Sequence, residues 1–159
     1  IPNDITKSTQ AIFIAEVLYR VIREEEHNPM LSHFLISTIR YLDALQAPSP
    51  DFHIIFMFQL SRYLGFYPQN NYGENERYFD LMSGLFRSDR THPDLQLDEN
   101  ESARWSRYMS TNYQNIKEIG LNSRQRKAML EQLVRFYRMH VEGMGNIRSL
   151  EVLHTFFHN

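Results

Sequence analysis

Residues 52–68 read FHIIFMFQLSRYLGFYP, four Phe, two Tyr and a Met gathered around one Ser-Arg pair. Phe52, Ile55, Phe56, Gln59, Leu60 and Tyr63 recur at three- and four-residue spacing, so they share one broad face of a helix. Asp51 stands where a helix N-cap belongs, and Gly65 where a left-handed C-cap does. The stretch is therefore expected to be a capped core helix, and a ligand pocket is the least supported reading of its aromatics.

Working outward, the same period continues on both sides. Ahead of it, Ile14, Ala15, Leu18 and Ile22 form one stripe and Phe13, Val17 and Val21 an adjoining one, which predicts a helix buried on more than one side. The acidic run Glu24–Glu26 follows, and Asn28-Pro29 supplies an N-cap and first-turn proline for a second helix. Leu31, Phe34, Leu35, Thr38, Ile39, Leu42 and Leu45 carry that helix until Pro48 and Pro50 stop it. Beyond Gly65, residues 67–77 have loop composition, and YFDLMSGLF at 78–86 reads as a small β-hairpin turning at Met82-Ser83-Gly84. Residues 88–98 read as irregular. A polar helix is predicted over 100–109 and a short one over 113–119. A long helix capped by Asn122 or Ser123 buries Met129, Leu130, Leu133, Val134, Phe136, Tyr137 and Val141 before Gly143 and Gly145, and a last one over 148–157 starts near Ser149. The expectation is one domain over 1–159, all-α, a multi-helix fold with a small β-hairpin insertion.

Composition bounds what the chain can be. At 42% hydrophobic and 23% charged it has the make-up of a globular protein, and no apolar run approaches the ~18 residues a bilayer needs. Without cysteine it holds no disulfide, no Cys-ligated zinc and no thiol nucleophile, which fits a cytoplasmic protein. No secretory leader is visible, and the chain begins at Ile1 rather than Met, as a fragment or processed form does. There is no Gly-rich phosphate loop, no H-E-x-x-H and no G-x-S-x-G, so no spacing argues for an enzyme or a cofactor. His154 and His158 lie one turn apart but lack the carboxylate company of a competent metal site. Glu24, Glu25 and Glu26 read as a solvated helix end rather than a catalytic pair.

Charge is the one asymmetric quantity. Residues 1–103 hold 8 Lys or Arg against 15 Asp or Glu, a balance of −7, whereas residues 104–159 hold 9 against 4, a balance of +5. The excess is concentrated in SRQRKAMLEQLVRFYRMH, where Arg124, Lys127, Arg135 and Arg138 line the exposed side of one helix with Arg126 nearby. Such a surface neutralises phosphates without sequence preference, or clamps the carboxylates of an acidic protein tail beside a pocket that takes a side chain. Trp105, Tyr108 and Tyr137 are of a type that stacks on bases, but their spacing places them in the core.

In order along the chain, KSTQAIFIAEVLYRVIREEE (7–26), FHIIFMFQLSRYLGFYP (52–68), YFDLMSGLF (78–86) and IRSLEVLHTFF (147–157) resemble the C-terminal helical domain of the RecO family, in the form of the Bacteroides group. The resemblance implies an OB-fold upstream of Ile1, absent from this chain. It implies a non-catalytic recombination mediator in DNA repair that binds DNA, engages the acidic C-terminal tail of single-strand-binding protein, and works with RecR to anneal strands and load recombinase. Many members carry a four-cysteine zinc motif after the L-G helix; residues 67–93 hold no cysteine, so zinc is not carried over. The hairpin is then expected to be held by Tyr78, Phe79, Leu81, Leu85 and Phe86. Arg124, Arg126, Lys127, Arg135 and Arg138 are assigned to DNA or the acidic tail on charge alone. A helical scaffold or oligomerisation module without DNA contact is the alternative, and Arg62 is a further candidate for a partner groove.

Overall fold

A computed structural model of the chain describes residues 5–22 and 28–157; Glu24–Glu26 and His158 lie outside them. The order is α1 (Ile5–Val21), α2 (Pro29–Ala44), α3 (Phe52–Leu64), β1 (Tyr78–Asp80), β2 (Leu85–Arg87), α4 (Glu99–Met109), a 3-10 turn (Ile116–Glu118), α5 (Ser123–His140) and α6 (Leu150–Phe157). The all-α class and the hairpin insertion are as the sequence predicts.

α3 is buried on more than the one face that its period marks. Phe52 through Phe58 are all buried, with Leu60 and Ser61, because α1, α2, α4 and α5 each pack against it. A helix apolar around its whole circumference is stable only inside such a sheath. Its polar atoms are provided for: Ser61 Oγ donates to the Phe58 carbonyl (2.6 Å), His53 Nδ1 lies 3.4 Å from Gln10 Nε2, and Tyr137 Oη donates to the Met57 carbonyl (2.5 Å). Gly65, at φ 89°, ends the helix as anticipated. Gly65 N–H reaches the Arg62 carbonyl and Phe66 N–H the Ser61 carbonyl, the paired bonds of a Schellman motif.

The N-cap of α3 corrects the sequence reading. Asp51 occupies the cap position, and its carbonyl accepts from Ile54 and Ile55, but its carboxylate caps nothing. It turns inward to the Tyr108 hydroxyl. Asn28 does cap α2 through Leu31 N–H (3.0 Å), with Pro29 in the first turn. Of residues 113–119, expected as a short helix, only Ile116–Glu118 are helical, as a single 3-10 turn. In α1 the second predicted stripe, Phe13, Val17 and Val21, is buried together with Ile14 of the first, so the helix is covered on more than one side, by α2, α3 and α6, while Ala15 faces solvent.

The hairpin pairs Tyr78 with Arg87, Phe79 with Phe86 and Asp80 with Leu85. Phe79, Phe86, Trp105 and Phe136 pack as one aromatic cluster, with ring centroids 4.5–5.8 Å apart. The amide of Asn71 reads both sides of Phe86, accepting its N–H (2.7 Å) and donating to its carbonyl (2.8 Å). A four-thiolate zinc site does not fit this segment: it holds no cysteine, and no group of three His, Cys, Asp or Glu able to hold a metal occurs among the described residues. Aromatic packing ties the hairpin to α4 and α5.

The C-terminal segment is docked by α1. Glu16 accepts Arg148 N–H (2.7 Å), Ser149 N–H (2.8 Å) and Ser149 Oγ–H (2.7 Å), serving the open N-terminus of α6 from across the chain. Arg20 donates to the Met144 carbonyl (3.1 Å). Burial raises the Glu16 carboxyl, but the hydrogen bonds from Ser149 and Arg148 and the Arg20 charge outweigh it and hold the pKa below the ordinary 4.5.

Phe136→Ala, which opens the aromatic cluster, is expected to cost about 3–5 kcal/mol in urea unfolding. Glu16→Ala is expected to cost about 1–2 kcal/mol at pH 7, the scale of a lost helix cap. Because folding lowers this pKa, the contribution of Glu16 is complete above the unfolded value and is lost as pH falls through the folded one. The difference between wild type and Glu16→Ala should therefore shrink on acidification, followed by urea midpoints from pH 7 to pH 3.

Candidate functional site

α5 is set in place by a capping box: Asn122 Oδ1 accepts Gln125 N–H (2.8 Å) and Gln125 Oε1 accepts Asn122 N–H (3.1 Å). From that start its apolar residues Met129, Leu130, Leu133, Val134, Phe136 and Tyr137 face the core. Arg124, Lys127, Arg135 and Arg138 follow one another at three-, eight- and three-residue steps and stand on the opposite side. Arg124, Lys127 and Arg138 are exposed and Arg135 is half-buried. Glu131 sits within this row and lowers its net positive charge.

Two members of the row also hold the chain together. Arg135 donates to the Asp94 carbonyl in the segment before α4. Arg138 Nε donates to the Gly145 carbonyl and its Nη2 to Asn146 Oδ1, both at 3.0 Å. Lys127 and Glu131 border a shallow polar depression against α6, where His154 Nε2 lies 3.8 Å from Glu131 Oε1. Burial and the Lys127 charge push the His154 imidazole below its ordinary pKa.

Arg126 does not join the row. Two residues after Arg124, it projects from α5 about 200° away. There it is half-buried, and its Nη1 donates to the Leu121 carbonyl (2.7 Å). It borders a cavity of about 640 Å³ between the 45–51 connection and the 113–121 loop. Tyr41, Phe52 and Tyr113 stack along the wall of that cavity, with centroids 6.1 Å (Tyr41–Phe52), 4.6 Å (Phe52–Tyr113) and 5.1 Å (Tyr41–Tyr113) apart. Leu45, Pro48 and Ile116 extend the apolar lining, and the exposed Lys117 adds a second cation. Phe52, the first residue of the core helix, thus serves core and cavity together.

Asp51 also lines the cavity, and Tyr108 Oη donates to its Oδ1 (2.7 Å) in a buried pair. Burial pushes the Asp51 carboxyl above its ordinary 3.8, against the opposing pull of the Tyr108 hydrogen bond and the Arg126 charge. Burial and the Asp51 charge push the Tyr108 phenol well above its ordinary range. Trp105, Tyr108 and Tyr137 are all fully buried, so none offers a face to a nucleobase. The Arg62 guanidinium lies over the Tyr67 ring, 4.4 Å from its centroid, at the exit of α3.

Charge alone grouped five cations that the helix divides into a row of four and one cavity residue. The out-of-phase position of Arg126 was readable from its number. Lys117 and the aromatic wall were not, because the wall assembles residues 41, 52 and 113 from three separate elements.

Removing the phenol by Tyr108→Phe leaves the Asp51 carboxylate buried without that donor, with an expected cost of about 1–3 kcal/mol at pH 7. Folding raises the pKa of Asp51, so the burden is present above the ordinary value and relieved on acidification, the reverse of Glu16. Asp51→Asn in the Tyr108→Phe background should recover part of the loss at pH 7, measured by urea unfolding of the single and double variants.

The family model described as recombination protein O C terminal matches residues 2–151. The chain is similar to the DNA repair protein RecO of Bacteroides fragilis, 36% identical over 160 residues that cover 99% of this chain and 65% of that protein. It is similar to those of Phocaeicola vulgatus, 32% identical over 157 residues covering 99% and 65%, and Azobacteroides pseudotrichonymphae, 28% identical over 155 residues covering 98% and 64%. It thus spans just under two thirds of the length of these relatives. No solved structure matches it.

Proposed function

The chain belongs to the RecO C-terminal family, and from that membership we propose that it is the helical, non-catalytic part of a cytoplasmic recombination mediator acting in DNA repair. In this reading an OB-fold precedes Ile1 and makes the main contact with DNA. The helical domain receives partner proteins, among them the acidic C-terminal tail of single-strand-binding protein, and works with RecR to load recombinase.

The observation that carries the reading is the cavity beside α5. Its wall of Tyr41, Phe52 and Tyr113 suits an aromatic or aliphatic side chain. Arg126 and Lys117 at its border suit the carboxylates that flank such a side chain in an acidic tail. Apolar insertion supplies affinity, and the cations supply orientation and faster encounter. The row of Arg124, Lys127, Arg135 and Arg138 has a different chemistry. Three of its members, Arg124, Lys127 and Arg138, are exposed along one helix, which suits phosphates spaced along a nucleic-acid backbone.

The competing reading, a scaffold or oligomerisation module without DNA contact, draws on the apolar outer side of α1, where Ile5, Ile12 and Tyr19 are exposed. It predicts an apparent mass that rises with concentration in light scattering.

Fluorescence anisotropy with a labelled peptide ending in acidic and aromatic residues tests the cavity. Arg126→Ala combined with Lys117→Ala is expected to weaken binding about tenfold or more, as loss of charge-assisted contacts does. Arg135→Ala combined with Arg138→Ala should change it less; the opposite order would move the tail from the cavity to the row. For DNA, log Kd plotted against log salt should be linear for wild type and shallower once Arg124 and Lys127 are Ala. No binding at low salt would leave DNA contact to the OB-fold alone.

A further inference from the structure

The described residues of α1 that face solvent are Ile5, Ile12, Ala15 and Tyr19, and none of them is charged. Ile5 is 67% exposed, Ile12 60% and Tyr19 85%. The charged side chains of the helix turn elsewhere: Lys7 Nζ donates to the Asp43 carbonyl (2.7 Å), and Glu16 and Arg20 are committed to residues 144–149. Ile5, Ile12 and Tyr19 are seven residues apart, with the small Ser8 and Ala15 between them, the spacing of a seam between helices. An ordinary surface helix carries its polar residues on this side, so α1 has the composition of a helix covered all round. α2, α3 and α6 pack on it and leave this row open.

The length of the relatives supplies the cover. The chain spans 64–65% of them, so about a third of a protein of that length lies outside it. α1 is the first element of the chain, beginning at Ile5. A domain joined that closely to α1 meets the row at an effective concentration in the millimolar range, and a modest apolar contact is then occupied. A second copy lacks that advantage. The row runs over about 21 Å of a helix about 10 Å wide, roughly 200 Å², which falls short of the roughly 800 Å² per partner of a standard stable interface.

We propose that the outer row of α1, from Ile5 to Tyr19, is the seam on which the third of the protein preceding Ile1 packs, through an apolar strip of its own. The proposal rests on the reading that the missing third lies upstream. It makes α1 the element that fixes the upstream domain relative to the cavity and the basic row.

Thiol labelling tests it, because the chain has no cysteine and a single introduced one reports alone. Ile12→Cys is placed in the 159-residue chain and in the full-length protein without other cysteines, with Asn75→Cys in the exposed 67–77 loop as reference. Disulfide exchange with Ellman's reagent is expected to be about tenfold slower or more at position 12 in the full-length protein than in the chain, and equal at position 75. Equal rates at position 12 overturn the proposal. Slowing in the 159-residue chain that deepens with its own concentration also overturns it, in favour of a second copy. Peptide affinity measured on the same proteins is a separate readout: protection with no peptide binding sinks the functional reading and keeps the seam, and the reverse result does the opposite.

Discussion

Everything in this fold answers to the desolvation of α3. A thirteen-residue helix whose first seven residues are all buried cannot rest on a single layer; it needs neighbours on every side. α1, α2, α4 and α5 meet that need, and the hairpin packs on the helices that do. The backbone at its centre is supported as well, since Tyr137 reaches from α5 to the Met57 carbonyl. The left-handed turn at Gly65 then releases the chain from the interior and sends it to the hairpin.

The parts of this arrangement that depend on neighbours in sequence were legible in it. Asn28-Pro29, Gly65 and the Asn122–Gln125 capping box act within a turn of the chain, and each appears where its residue type calls for it. The Phe79–Phe86 register follows from alternation around a turn glycine. Illegible were the bonds that join distant segments. Asp51 looks like a cap and instead receives Tyr108, 57 residues on. Glu16 looks like a surface carboxylate and instead holds the start of a helix 133 residues away. The 113–119 segment has helical spacing, yet Asn112 and Asn115 each accept a backbone N–H across the other's position and favour turns.

The late basic charge also divides into two kinds. Arg126, Arg135 and Arg138, like Arg20 of α1, each donate to a backbone carbonyl in a connecting segment, which pins loops that lack regular hydrogen bonding, whereas Arg124 and Lys127 stand exposed on α5. A cation fixed in this way keeps most of its field while giving up its freedom of motion. The half-buried Glu16 and the buried Asp51 oppose one another: Glu16 gains from ionisation in the folded state and Asp51 loses, so acid removes a contribution at the first and relieves a burden at the second.

The side chain of Asn71 has a consequence for how the molecule meets others. A two-stranded hairpin offers an outer edge whose free amide and carbonyl groups invite another strand. On β2 that position is taken at Phe86, where one Asn amide imitates the neighbour a strand would have been. The hairpin is thereby closed to recruitment by strand addition, both by a guest peptide and by a second misfolded copy. Association is left to side chains: the aromatic cavity, the basic row and the bare flank of the first helix.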